Sequence, residues 1–264
     1  MLIRSGDTEI FYDVLGAGPD VVLLHAFPLN HKLWLPVAER LASRFRVILM
    51  DLRGHGKSSP GADPATMEKH AADIGRVCEA TGVGKAVFGG VSIGGYVLLE
   101  VWRRSRECVS ALILADTKAQ ADAEPARRAR LQAAFDVERD GPSRFLDSLL
   151  PKLVGETTRS NRPDLVAAVR EMALPSTAAG IAVTQRGMAA RPDSMTTLGT
   201  IDVPTLLLFG EEDVLTPVAV GETMQRGIPH SRLQRIPSAG HLAVFEQPDV
   251  CHGAIRKLLD HMPG

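Results

Sequence analysis

The chain has 264 residues, with 30 Lys plus Arg against 31 Asp plus Glu. This length suits one α/β domain or a core carrying an insertion. The balanced charge gives no overall field that would attract nucleic acid or an anionic membrane surface, so the expected partner is a small molecule. Three distant cysteines without Cys-x-x-Cys spacing argue against a disulfide framework or a thiolate zinc site.

The N-terminus, "MLIRSGDTEIFYDV", alternates like a strand and lacks the features of a signal peptide. No apolar stretch reaches membrane-spanning length. We therefore expect a cytoplasmic protein without membrane contacts, and a homodimer is left open.

Short apolar runs typical of strands recur along the chain, and helix-length segments separate the third, fourth and fifth of them. Strands that alternate with helices predict a mostly parallel sheet covered on both faces. The runs are "TEIFYDV" (8 to 14), "VVLLHAF" (21 to 27), "FRVILMD" (45 to 51), "KAVFGG" (85 to 90), "VSALILAD" (109 to 116), "VPTLLLFG" (203 to 210) and "SRLQRIPS" (231 to 238).

The segment after the fifth run is too long for a single crossover, and its pattern is helical throughout. "PARRARLQAAFDVERDG" and "PDLVAAVREMAL" each place apolar residues on one helical stripe. We predict a helical insertion over residues 117 to 196, within a core formed by residues 1 to 116 and 197 to 264.

The stretch "GGVSIGG" places Ser92 between an apolar run and a helical segment. A Gly-x-Ser-x-Gly motif has mechanical meaning in this context, because the turn holds the serine in a strained conformation. Side chains at Gly90 and Gly94 would collide with neighbouring backbone. A bland glycine-rich bend is the alternative reading.

A serine hydroxyl needs a base, and the base needs an orienting carboxylate, at the same edge of the sheet. "GEEDVLTP" places Asp213 just past a strand, with Thr216 and Pro217 expected to cap and begin the next helix. Asp116, which ends "LILAD", is the rival acid.

His241 is the candidate base, because it follows a strand in the flexible turn "SAGH" near the C-terminus. The weaker candidates are His25, His55, His230 and His252. The oxyanion needs two donors, for which we expect the backbone N–H groups of Ile93 and Phe27, since Pro28 has no N–H.

Other chemistries lack their motifs. "DLRGHGKSS" has Asp51 where a phosphate-binding loop needs glycine, and neither Gly-x-Gly-x-x-Gly nor His-Glu-x-x-His occurs. We therefore expect no cofactor and no metal, and we expect Arg53 and His55 to hydrogen-bond neighbouring loops.

Five ordered motifs, "HAFPLN", "DLRGHGKSS", "GGVSIGG", "GEEDVLTP" and "SAGHLAVFEQPD", resemble the α/β-hydrolase superfamily along nearly the whole chain. The similarity is greatest to its small bacterial serine esterase and 3-oxoadipate enol-lactonase-like branch. This resemblance implies a mostly parallel eight-stranded sheet with a helical cap after the sixth strand. It also implies a triad of Ser92, Asp213 and His241, with the oxyanion hole at Phe27 and Ile93.

One departure is Ala26, where relatives commonly carry glycine, and a methyl group there would be strained if the residue needs a positive φ. Ser92 in place of aspartate argues against dehalogenase or epoxide hydrolase chemistry. The expected reaction is hydrolysis of a carboxylic ester or a lactone, such as an enol-lactone or an acyl-homoserine lactone. The alternatives are a slow ligand receptor on the same fold and a cofactor-free perhydrolase.

The substrate is less well defined by the sequence. Phe135, Met172 and Met188 are candidates to line the pocket, although core packing explains them equally well. An inward-facing arginine among Arg127, Arg128 and Arg130 would suit a carboxylate-bearing lactone, whereas solvated helix faces are the more common role of such residues.

Overall fold

A computed structural model describes residues 1–260 of the chain. Eight strands form one sheet in the order β1-β2-β4-β3-β5-β6-β7-β8. Strand β2 is antiparallel to both of its neighbours, and the pairs from β4 to β8 are parallel. The predicted sheet is confirmed, and its strands are β1 (Leu2–Ser5), β2 (Thr8–Leu15), β3 (Asp20–Leu24), β4 (Arg46–Met50), β5 (Ala86–Val91), β6 (Val109–Ala115), β7 (Thr205–Gly210) and β8 (Ser231–Ile236).

Helices cover the sheet and fill the connection between β6 and β7, where the sequence predicts the helical insertion. Those of the core are α1 (Leu35–Leu41), α2 (Met67–Thr81), α3 (Ile93–Ser105), α10 (Val218–Gly227), α11 (Ala243–Glu246) and α12 (Pro248–Leu259). Those between β6 and β7 are α4 (Glu124–Asp140), α5 (Ser143–Leu149), α6 (Glu156–Asn161), α7 (Pro163–Ala173), α8 (Ala178–Ala189) and α9 (Met195–Leu198).

Among residues 1–260, no single helix is long and apolar enough to cross a membrane. Together, α7 and α8 have the length and composition of a membrane span, but the two helices are bent by 93° relative to each other. Most of α8 is buried within the protein.

The central strand β3 decides where the site forms. It pairs with β4 on one side and with β5 on the other, so the chain changes direction across the sheet at this point. Leu24, the last residue of β3, is aligned with Gly90, near the end of β5. The loops that follow these two strands therefore lie side by side at the carboxyl edge, where open α/β sheets bind ligands.

The strand β3 is shorter than the apolar run that predicts it. Its last residue is Leu24, and residues 25 to 27 continue as a loop. The backbone turns because the Leu29 N–H donates to the Ala26 carbonyl at 2.8 Å. The run is apolar to its end because Ala26 and Phe27 are buried, although they lie outside the sheet.

A buried ion pair fixes the loop that follows β4. The Arg53 guanidinium donates to both carboxylate oxygens of Asp73 on α2, at 2.7 and 2.8 Å. It also reaches Asp7 in the β1–β2 turn, at 3.3 Å. Arg53 thus hydrogen-bonds neighbouring segments as expected. The Nδ1 of His55 instead bonds the Arg53 carbonyl within the same loop at 3.0 Å, and its ring packs against His25 and Phe27 of the loop after β3.

We predict that Arg53→Met lowers the free energy of unfolding by about 3 kcal/mol or more, because it leaves the Asp73 carboxylate buried without a cation. Burial raises the pKa of Asp73 even beside Arg53, so this carboxylate is already costly to ionise. The double variant Arg53→Met with Asp73→Leu should therefore be more stable than the single one. Urea unfolding measures the free energy of unfolding of both variants. A double variant that is less stable than Arg53→Met would contradict this account.

Candidate active site

Ser92 occupies the single residue between β5 and α3, in a conformation that L-amino acids rarely adopt. Its φ is 54° and its ψ is −112°. A Cβ at Gly90 would lie 2.4 Å from the Gly94 carbonyl carbon, and one at Gly94 would lie 2.7 Å from the Leu24 carbonyl oxygen. The predicted collisions are therefore present, and the turn is held by strand and helix backbone packed against it.

The structure brings His241 and Asp213 into contact. His241 Nδ1 lies 2.8 Å from Asp213 Oδ2, and both side chains are buried. The Thr216 hydroxyl donates to the same oxygen at 2.5 Å, while Asp213 Oδ1 accepts the Leu215 and Thr216 N–H groups at 2.8 and 3.1 Å. Thr216 thus holds the carboxylate and does not cap α10, whose N-cap is Pro217.

The electrostatics of the pair follow from these contacts. Burial alone would lower the pKa of His241, but the charge and hydrogen bond of Asp213 outweigh it and raise that pKa above its ordinary value of 6.5. Burial likewise opposes ionisation of Asp213, yet His241 and Thr216 hold its pKa below the ordinary value. Asp213 is therefore a carboxylate at neutral pH, and it favours the imidazolium form of His241.

The rival acid, Asp116, has different partners. Its Oδ1 accepts the Gly210 N–H at 2.8 Å, and its Oδ2 accepts the Ala243 N–H at 3.1 Å. Burial and the nearby Asp213 charge raise the pKa of Asp116 to about 8. Within residues 1–260 it makes no hydrogen bond to His241, so its contacts serve to hold backbone in place.

The loop after β3 carries the predicted oxyanion donor Phe27. His25 fastens this loop, because its Nδ1 donates to the Ala26 carbonyl at 2.9 Å and its Nε2 accepts the Leu52 N–H at 2.9 Å. Ala26 does not have a positive φ, so its methyl group causes no backbone strain. No partner within the described part of the chain engages the N–H of Phe27 or of Ile93.

The comparisons with known proteins agree with this geometry. Residues 19–248 match the family model described as alpha/beta hydrolase fold. The chain belongs to the α/β-hydrolase fold family.

Relatives of this α/β-hydrolase include esterases and a lactonase. The 3-oxoadipate enol-lactonase 1 of Acinetobacter baylyi is 27% identical over 88% of this chain and 85% of its own. The pimeloyl-[acyl-carrier protein] methyl ester esterase of Chromobacterium violaceum is 27% identical over 96% of this chain and 98% of its own. Among solved structures, a thermophilic esterase from Thermogutta terrifontis with malate bound is 38% identical, with a TM-score of 0.95 over 98% of this chain and 97% of its own.

A cavity of about 220 Å³ lies at this edge of the sheet, and four of the predicted site residues line it. Ser92, His241 and Phe27 line it together, and so does Met188 of α8. The cavity is smaller than the roughly 300–1,000 Å³ of typical ligand pockets, so it suits a small substrate.

Two of the candidate pocket residues lie elsewhere. Phe135 is 56% exposed on α4, and Arg139 packs over its ring at 5.5 Å. Met172 is buried in the hydrophobic core, where its carbonyl accepts the Asn30 amide at 2.9 Å. The spacing of apolar residues predicts that Phe135 and Met172 each lie on the apolar face of a helix. It does not predict whether that face meets the cavity.

Several cavity residues were not predicted from the sequence. Tyr96 lies one turn after Ser92 on α3, Lys118 lies two residues past Asp116, and Gln185 lies on α8. The edge rule that identified Asp116 could have found Lys118, because both follow the end of β6. Arg130 is the inward-facing arginine, whereas Arg127 and Arg128 are exposed.

We predict that Asp213→Asn lowers the pKa of His241, because it removes the carboxylate whose charge and hydrogen bond outweigh burial. NMR titration of the His241 ring measures this change. Asp116→Asn is the matched control and should lower the pKa less, since Asp116 bonds backbone N–H groups. An equal fall in both variants would mean that Asp116 stabilises the imidazolium as strongly as Asp213.

Proposed function

We propose that the protein is a serine hydrolase that cleaves a carboxylic ester or a lactone through an acyl-enzyme intermediate. The observation that carries this proposal is the 2.8 Å contact between His241 Nδ1 and Asp213, beside a cavity that His241 shares with Ser92. The contact leaves Nε2 of His241 without a partner among residues 1–260. That nitrogen is the one that a triad uses to take the serine proton.

The chemistry follows in two steps. His241 takes the Ser92 proton as the hydroxyl oxygen attacks the carbonyl carbon, and the Phe27 and Ile93 N–H groups stabilise the oxyanion. His241 then protonates the leaving oxygen, and the acyl group stays on Ser92. Water repeats the sequence and releases the acid. With a lactone, the leaving oxygen remains tethered to the acyl group, so the product is a single ring-opened acid.

The relatives support this reaction class, because their names describe an enol-lactonase and ester-cleaving enzymes. A slow receptor on the same fold would give one turnover and retain the acyl group. A perhydrolase would use peroxide in place of water as the acceptor. Steady-state release of acid separates hydrolysis from the receptor, and competition between water and peroxide for the acyl group separates it from the perhydrolase.

We predict that Ser92→Ala reduces hydrolysis of p-nitrophenyl acetate to the level without enzyme, because no oxygen remains to attack the carbonyl. Initial rates at 405 nm measure the loss, since that wavelength detects p-nitrophenolate. The melting temperature should remain close to that of the unsubstituted protein, because Ser92 makes no buried side-chain hydrogen bond within residues 1–260. Undiminished turnover in Ser92→Ala would overturn the proposal.

The pH profile provides a second prediction. His241 must be neutral to accept a proton, and its pKa lies above 6.5, so kcat/KM should rise with pH through a value above 6.5. Asp213→Asn should lower kcat by about 10³-fold or more and move the remaining rise to lower pH. Asp116→Asn should retain more activity, because its amide still accepts one of the two backbone N–H groups and Asp213 still holds His241. The reverse ranking would transfer the orienting role to Asp116.

A further inference from the structure

Three cations surround one buried carboxylate beside the cavity. Asp122 lies between β6 and α4, and its side chain is 1% exposed. Lys118 Nζ donates to Asp122 Oδ1 at 2.7 Å, Arg191 donates to the same oxygen at 3.0 Å, and Arg130 Nε donates to Oδ2. The cluster therefore carries two positive charges more than negative ones.

The protonation of Asp122 supports this charge count. Burial opposes its ionisation, but the charge of Arg130 and the hydrogen bonds from Lys118 and Arg130 outweigh burial and lower the pKa of Asp122 to about 2. The residue is therefore a carboxylate at neutral pH, and it neutralises only one of the three cations. The excess charge is a fixed property of the cluster across the working range of most enzymes.

Two of these cations reach the cavity that contains Ser92. Lys118 and Arg130 line it, and they are the charged residues of its lining apart from His241. Among residues 1–260, no aspartate or glutamate lines the same cavity. A carboxylate in the cavity would therefore meet uncompensated positive charge in a partly desolvated place, where such contacts are strong.

Lys118 and Arg130 form a cationic wall of the cavity, which Arg191 and the side-chain amide of Gln185 hold in place. Arg191 lies 3.9 Å over the ring of Tyr96, and its Nη2 also donates to the Gln120 carbonyl at 2.8 Å. Its buried Nε has no partner among residues 1–260. Arg130 Nη1 donates to Gln185 Oε1 at 3.0 Å, which fixes the guanidinium against α8. The cationic wall is thus built before any substrate arrives.

We propose that Lys118 and Arg130 form a subsite for a carboxylate carried by the substrate, so that the enzyme acts on esters or lactones of small dicarboxylic acids. This inference rests on the proposed function, since it concerns the substrate of the same site. The subsite leaves the uncharged carbonyl group of the substrate to Ser92. The acid product keeps the recognised carboxylate, so the subsite also binds the product.

Matched pairs of esters test the subsite. Monomethyl succinate, glutarate and adipate each carry one carboxylate, and the methyl esters of succinamic, glutaramic and adipamic acids replace it with a neutral amide of the same shape. Acid release in a pH-stat measures kcat/KM for each ester. We expect at least one carboxylate ester to exceed its amide partner about tenfold or more, mainly through KM, and added salt to reduce the preference.

Variants identify the residues responsible. Arg130→Gln and Lys118→Gln should each lower the ratio of carboxylate to amide ester hydrolysis, and the double variant should bring the ratio close to one. Arg128→Gln is the matched control, because Arg128 lies on the same helix α4 with a side chain that is 77% exposed and paired with Glu124. It should leave the ratio unchanged.

A second measurement does not depend on the folding of any variant. With the unsubstituted enzyme and p-nitrophenyl acetate, glutarate should inhibit competitively and more strongly than glutaramide. Normal hydrolysis of p-nitrophenyl acetate with no carboxylate preference in the esters or inhibitors would overturn the subsite and leave the proposed function standing. Failure to hydrolyse any ester, p-nitrophenyl acetate included, would overturn the proposed function and the subsite with it.

Discussion

The fully buried carboxyl group of Asp116 connects the segments that carry Asp213 and His241. Asp116 directly follows β6 with a φ of 43° and accepts N–H groups from Gly210 and Ala243. Asp213 follows Gly210 by three residues, and Ala243 follows His241 by two. One side chain thus sets the spacing between the loop of Asp213 and the loop of His241. A buried carboxyl in this position costs desolvation, and the hydrogen bonds to backbone offset that cost.

A second buried side chain, Glu246, ties the insertion to the loop of His241. Glu246 accepts the Gly240 N–H with one oxygen and the Gly155 N–H with the other, both at 2.8 Å. The two glycines lie so close that a Cβ at Gly240 would be 2.4 Å from the Gly155 nitrogen. The segment between β6 and β7 is therefore packed against the loop of His241 through backbone contacts, and the position of His241 depends on residues far from it in the chain.

The sequence predicts the parts of this arrangement that local chemistry dictates. The turn at Ser92 follows from glycine spacing, and the order of the strands' apolar runs places Asp213 and His241 at one edge. Contacts between distant segments are different, because periodicity shows that a helix has an apolar face without showing what that face meets. Phe135 and Met188 illustrate this, since both are apolar residues on helices between β6 and β7 but only Met188 reaches the cavity. The sequence predicts Thr216 as a helix cap, because a threonine hydroxyl commonly serves that role, whereas the fold brings its hydroxyl to the Asp213 carboxylate.

The cationic wall and the predicted triad come from different parts of the chain, yet one helix fixes their separation. Helix α3 begins directly after Ser92, and its Tyr96 carries the guanidinium of Arg191 against its ring at 3.9 Å. Arg191 in turn binds the Asp122 carboxylate that holds Lys118 and Arg130. Because a helix is rigid over one turn, the distance from Ser92 to the excess charge is set by the helix, by one stacked pair and by the hydrogen bonds to Asp122. Substitutions at Lys118 and Arg130 can therefore change the charge of the cavity lining, while the strand ends next to Ser92 and Asp213 keep their positions.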